Sequence, residues 1–155
     1  MKKLRIYVDT SVIGGCFDTE FSKWSNGLMK DFKLGNFIPI ISEIVAVEIT
    51  KAPQDVRDKY FEILDLGAEQ LSVNDEVDAL AEAYEKSKIL TPKFMEDMIH
   101  IALATVANVD IVVSWNFKHI VHFDKIRQFN AINLQMGYKE LKIYSPREVT
   151  NYEEE

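Results

Sequence analysis

Four polar side chains stand at the ends or on the flanks of apolar runs: Asp9, Glu48, Asp97 and Asn116. Carboxylates gathered from such positions can recruit divalent cations, which then meet phosphates. Asp9 closes the β-prone run Leu4–Val8. It is followed by the hydroxyls of Thr10 and Ser11, then by Val12, Ile13 and Gly14–Gly15. In an open α/β sheet, ligands bind beyond the carboxyl ends of strands, so an acid there is a site candidate. Asp-Thr-Ser is equally a good N-cap for a following helix, and the residue types alone leave both readings open.

The other three positions carry the same ambiguity. Glu48 lies in Ile44-Val45-Ala46-Val47-Glu48-Ile49, where a carboxylate must face a polar pocket or solvent. Glu43 is about 140° away on the same helix, so only one of the two points easily at a shared site. Asp97 lies near the start of an apolar helix, where the helix dipole alone would favour it. Glu96 reads as the exposed acid of that pair. His100, one turn beyond Asp97, either bonds it, approaches a metal or, as the core-like surroundings favour, is a packed histidine. Asn116, in Ser114-Trp115-Asn116, offers a carbonyl oxygen or amide hydrogens, and it also suits a cap. His119 and His122 read as surface or packing residues.

The elements that would position these groups are legible from periodicity. Strand-like runs recur at Leu4–Val8, Phe37–Ile41, Gln70–Val73, Asp110–Ser114 and Leu141–Tyr144. Between them, helical spacing covers Glu20–Leu34, Glu43–Thr50, Pro53–Leu66, Asn74–Lys88, Thr91–Asn108 and Phe123–Met136. Strands alternating with helices predict an α/β fold, a three-layer α/β/α sandwich on a mainly parallel central sheet. No G-x-G-x-x-G follows the first strand and no P-loop is present, so nothing supports dinucleotide or P-loop nucleotide binding.

The bulk numbers are compatible with one domain, residues 1–150, followed by an acidic tail, 151–155. The chain has 155 residues, of which 47% are apolar, enough for a sizeable core. Its net charge of −7 argues against a simple basic nucleic-acid binder but not against a metal-recruiting nuclease. The single cysteine, Cys16, excludes an internal disulfide and a cysteine-based zinc site. No apolar run reaches membrane-span length and no signal-peptide core follows Lys2 and Lys3, so a cytoplasmic location without membrane association is expected.

These positions, in this order on this alternation, resemble the PIN-domain nucleases, and among them the VapC-like toxins of toxin–antitoxin pairs. The carriers are Tyr7-Val8-Asp9-Thr10-Ser11-Val12-Ile13, the segment Ile41–Ile49, Asp97-Met98-Ile99-His100-Ile101-Ala102-Leu103-Ala104, and Ile111-Val112-Val113-Ser114-Trp115-Asn116-Phe117. The resemblance implies a metal-dependent ribonuclease with an α/β/α sandwich. Asp9, Glu48 and Asp97 would match the family's three main acids and bind Mg²⁺ or Mn²⁺. Asn116 would occupy a fourth position that is most often Asp, and Ser11 would match the conserved hydroxyl. An RNA substrate, a cognate antitoxin and a homodimer are the partners implied. The alternative is a catalytically weakened PIN-like binding or scaffold module, for which Asn116 and the acidic surface speak. Among cations that could line an RNA groove are Lys23, Lys30, Lys33, Lys93, Lys118 and Arg127, each of which also reads as ordinary solvated surface.

Overall fold

The strands are built from residues that bury both faces at once. In β1 (Leu4–Val8), Ile6 and Val8 pack into one core and Tyr7 into another. In β2 (Phe37–Ser42), Ile41 and Ile40 divide the same way, as do Val113 and Val112 in β4 (Ile111–Val113). This two-residue alternation between two apolar environments is the signature of a parallel sheet covered on both sides. A computed structural model of the chain describes residues 2–150. The expected tail, 151–155, lies outside the described residues.

The sheet has five strands in the order β3-β2-β1-β4-β5, where β3 is Glu69–Leu71 and β5 is Lys142–Tyr144. All four pairings are parallel, with Ile6 opposite both Pro39 and Ile111 in register. One face carries α1 (Thr10–Gly15), α2 (Ser22–Lys33) and α4 (Gln54–Asp65), with Val12, Leu28, Phe32, Val56 and Ile63 in the core beneath them. The other face carries α5 (Asp75–Lys86), α6 (Met95–Val106) and α7 (Phe123–Gln135), over Leu80, Tyr84, Met98, Ile101 and Phe129. The short α3 (Glu43–Ile49) follows β2, and α8 (Pro146–Val149) follows β5. The three-layer sandwich expected from the sequence is therefore present, with a wholly parallel sheet.

Differences from the sequence expectation are local. A short helix, α1, absent from the stretches read by helical spacing, begins directly after Asp9, as its N-cap reading allowed, and runs through Gly14–Gly15. Gly15 is required there by a close approach. A Cβ on it would meet Ser25 Oγ and Trp115 Nε1 at 2.6 Å, so its bareness lets the Trp115 indole pack against α1. Thr91–Pro92 opens a single 3₁₀ turn, Pro92–Phe94, before α6 starts at Met95. The helix α8, held by a capping box between Ser145 and Glu148, has no counterpart among the expected elements. Elsewhere the expected stops hold: Gly67 and Gly137, at φ +82° and +90°, follow α4 and α7.

Candidate functional site

The chain leaves β1 towards one side of the sheet to form β2 and β3, and crosses to the other side for β4 and β5. The point where strand order reverses lies between β1 and β4, and in open α/β sheets ligands bind beyond the strands' carboxyl ends at such a point. Asp9 follows β1 at this point and Ser114-Trp115-Asn116 follows β4. The topology thus brings together residues a hundred positions apart.

Asp9 serves both readings that the sequence left open. Its Oδ1 accepts from the backbone N–H of Val12 at 3.3 Å, which caps α1. Ser11 Oγ donates to Oδ1 and Ser114 Oγ to Oδ2, each at 2.6 Å. Ser114 Oγ in turn accepts from the Asn116 N–H at 2.9 Å, and Ser11 Oγ accepts from the Trp115 N–H at 2.9 Å. These bonds staple the β1 and β4 ends together with the carboxylate between them. Burial raises the Asp9 carboxyl above its ordinary range, against the opposing charge of His100 and the bonds from Ser11, Ser114 and Val12.

Glu48 and Glu43 separate as helical geometry requires. Glu43 turns away and accepts the Val73 N–H at 2.7 Å. Glu48 turns inwards: Thr10 Oγ1 donates to its Oε1 at 2.6 Å, and His100 Nε2 lies 3.0 Å from the same oxygen. Burial alone would raise the Glu48 carboxyl, but the bond and charge of His100, with help from Thr10, hold it below the ordinary range. On the other side of the ring, His100 Nδ1 lies 2.6 Å from the Tyr7 hydroxyl, itself 2.8 Å from Ser42 Oγ. His100 is buried, and burial would lower its pKa. The Glu48 bond and the charges of Asp9, Glu48 and Asp97 outweigh this and raise it above 6.5. The charged form of buried His100 is thus favoured by the three acids singled out in the sequence, with Glu48 in direct contact.

Asp97, in the first turn of α6, makes its bond outwards, with His119 Nδ1 2.9 Å from its Oδ2. Asn116 accepts the His119 N–H on its Oδ1 at 2.9 Å, the capping role the sequence allowed. That leaves its amide NH₂ as the group it can offer to a ligand. Glu96 is exposed, as expected, yet its carboxyl meets that of Glu48. The contact raises the Glu96 pKa, because two carboxylates cannot both ionise cheaply at contact.

Four roles are not visible in the sequence: Ser114 holding Asp9, Thr10 holding Glu48, and the two histidines, His100 and His119, each facing an acid. His100 is the packed, satisfied histidine that the sequence allowed, and its partners are Glu48 and Tyr7, not Asp97. These partners lie 52 and 93 positions away, so no local spacing could indicate them.

Asp9, Glu48, Glu96 and Asp97 supply the oxygen donors that Mg²⁺ and Mn²⁺ prefer. The Glu48–Glu96 contact favours a proton on Glu96, and a bound cation would take that proton's place. Among the described residues, no three acidic, histidine or cysteine side chains are grouped so as to hold an ion as they stand, and each acid is turned to a protein partner. The donor types fit a hard divalent cation; its binding would draw these carboxylates from their present bonds.

Sheet order and pairing together define an open, parallel α/β sandwich with a switch point between β1 and β4. No protein-family profile and no curated protein matches the sequence. Solved structures do share the fold. One is VapBC2 from Rickettsia felis bound to a DNA fragment from its promoter: 16% identity, TM-score 0.59, covering 92% of this chain and 100% of that one. Another is VapBC-1 from nontypeable Haemophilus influenzae, at 11% identity and TM-score 0.57, covering 93% of this chain and 99% of that one. A third is FitAcB from Neisseria gonorrhoeae, at 15% identity and TM-score 0.57 with coverage of 93% and 99%. The likeness is one of fold. No helix among the described residues is long and apolar enough to cross a membrane.

Proposed function

We propose that this chain is a divalent-metal-dependent endoribonuclease and the toxin of a toxin–antitoxin pair, acting on RNA with Mg²⁺ or Mn²⁺. A cognate antitoxin covering the site and a second copy of the chain are its expected partners. The observation that carries this reading is the hydrogen-bond network at the switch point, which ties Asp9 to Ser114 and Glu48 to His100 and joins Asp97 to Asn116 through His119. The similar structures named VapBC and FitAcB support the antitoxin part of it.

Asp9, Glu48 and Asp97 would hold the cation, which when bound supplies an activated water and relieves charge on the phosphate. The chain's own residues do the rest. Ser11 and Ser114 fix the plane of the Asp9 carboxylate by bonding one oxygen each. His100 Nε2, 3.0 Å from Glu48 Oε1, favours the ionised form of that carboxylate beside Glu96. His119 orients Asp97. The Asn116 amide donates to a phosphate oxygen or a water, where an Asp would instead repel the phosphate.

A single observation favours the scaffold alternative: both Asp9 oxygens are already satisfied by hydroxyls. One experiment decides between the two. Purified chain is incubated with single-stranded RNA and Mn²⁺ or Mg²⁺, with and without chelator, beside Asp9→Asn. Cleavage by the unmodified chain alone, abolished by chelator, is expected. Equal cleavage by both proteins, or by neither, would remove the nuclease reading.

A further inference from the structure

A cavity of about 630 Å³ opens on the far side of His119 from the acids. His119 is the shared wall, with Nδ1 on Asp97 and its ring centroid 4.0 Å from that of Phe94. Ile89, Leu90, Pro92 and Phe94 make the apolar lining. Lys88, Lys118 and Lys125 stand around it, against Glu85 as the lone acid. A further cation, Lys93, has its Nζ 5.6 Å from the Phe94 ring centroid.

This sign of charge runs against a chain that carries −7 overall. Lys125 is committed to structure, because its Nζ donates to the Ile89 carbonyl at 2.7 Å and ties α7 to the loop after α5. Among the described residues, no carboxylate forms an ion pair with Lys88, Lys93 or Lys118. Lys88 also holds a left-handed backbone at φ +60°, unusual for a residue with a side chain. An apolar slot with an aromatic face, ringed by unneutralised lysines and sharing a wall with Asp97, matches one chemistry well. A nucleobase stacks on the aromatic while its flanking phosphates meet the cations. A base can enter such a slot only when it is free of a duplex.

We infer that the cavity bounded by Phe94 and His119 is a nucleotide subsite for single-stranded RNA, with the base against Phe94 and flanking phosphates towards Lys88 and Lys118. The inference rests on the nuclease reading above for its substrate class. It assigns that substrate a direction, running from the acids past His119 into the cavity. Of these residues, only Lys93 and Lys118 stand out in the sequence as groove cations; Lys88 and Phe94 join them only through the fold.

The test uses fluorescently labelled single-stranded RNA and a duplex of equal length, titrated against the full chain carrying Asp9→Asn so that the probe stays intact. Phe94→Ala in that background is expected to weaken single-strand binding about tenfold. Lys88→Glu with Lys118→Glu is expected to flatten the log–log salt dependence by roughly 0.7 for each phosphate that is no longer neutralised. Both lysines are exposed, so the melting temperature of that variant should stay put, which separates weakened binding from a damaged fold. Unchanged single-strand affinity in both variants would overturn the subsite. So would equal or tighter binding of the duplex, or dependence on these residues shown by a glutamate-rich peptide and not by RNA. A chain that cleaves RNA with no dependence on Phe94 or the lysines defeats this inference alone. A chain that binds RNA here but cleaves none defeats the nuclease reading alone.

Discussion

Two buried polar clusters in this molecule are built on opposite plans. Beneath α5, α6 and α7, the Tyr84 hydroxyl donates to Asn133 Oδ1, and Asn133 Nδ2 donates to Thr105 Oγ1 and Asn130 Oδ1, both at 3.3 Å. Asn130 then exchanges bonds with the Leu141 backbone, giving to its carbonyl at 3.0 Å and accepting from its N–H at 2.7 Å. Every member is neutral, and the network closes on itself. At the switch point, by contrast, the cluster is charged, two carboxyls touch, and Asp9 is buried at a cost to its ionised form. Neutral closed networks lock elements in register; excess negative charge destabilises an interior and implies a counter-charge that the chain itself does not fully supply. The first cluster locks the fold; the second is the one the proposed function assigns to binding.

Substitutions should separate the two plans. Asp9→Asn should cut RNA cleavage by roughly a thousandfold, in line with removing a central charged group from a reaction centre. Its urea midpoint should shift by less than about 1 kcal/mol equivalent, because most hydrogen-bonding shape is kept. Asn133→Ala reverses the pattern: it strands Tyr84 and Asn130, costs about 2–3 kcal/mol in urea unfolding, and leaves cleavage by the folded chain unchanged. Loss of activity in Asn133→Ala at temperatures where it is fully folded would break the distinction.

A smaller, pH-dependent effect follows from His100. Its folded pKa is raised above 6.5, so its contribution to stability is complete below that value and is lost as pH rises through the folded pKa. In chelator, the unfolding midpoint of the unmodified chain should decline across that window, and that of His100→Gln should not. Equal slopes would show that the ring is neutral. Smallest of all, Glu96→Gln removes the carboxyl contact with Glu48 and should raise stability at neutral pH by about 0.5 kcal/mol or less, since Glu96 is exposed. A loss of stability would mean the two carboxyls hold a shared proton that the fold needs.

Much of this was legible in the sequence, and the limits have physical causes. The five strands showed because β1, β2 and β4 are apolar on both faces, and Asp9, Glu48 and Asp97 showed because charges interrupt apolar runs. The Glu43/Glu48 choice followed from helical angle alone, and the structure resolves it in favour of Glu48. The hidden part is what crosses the sheet. Ser114 on Asp9 and His119 on Asp97 span 105 and 22 positions, and hydroxyls and histidines are too common for their types to reveal such partners. The α1 helix showed only through its Asp9-Thr10-Ser11 cap, since six residues are too few for a helical period, and the need for Gly15 comes from the distant Trp115 ring.

The central claim is that the charged cluster is completed by a cation to cleave RNA. It is tested most directly by titrating Mn²⁺ into the chain while recording metal occupancy and single-stranded RNA cleavage in the same samples, beside Asp9→Asn. The account predicts that cleavage rises in step with occupancy in the unmodified chain and that both are lost in Asp9→Asn. Cleavage without bound metal, or occupancy and cleavage undiminished in Asp9→Asn, would contradict it.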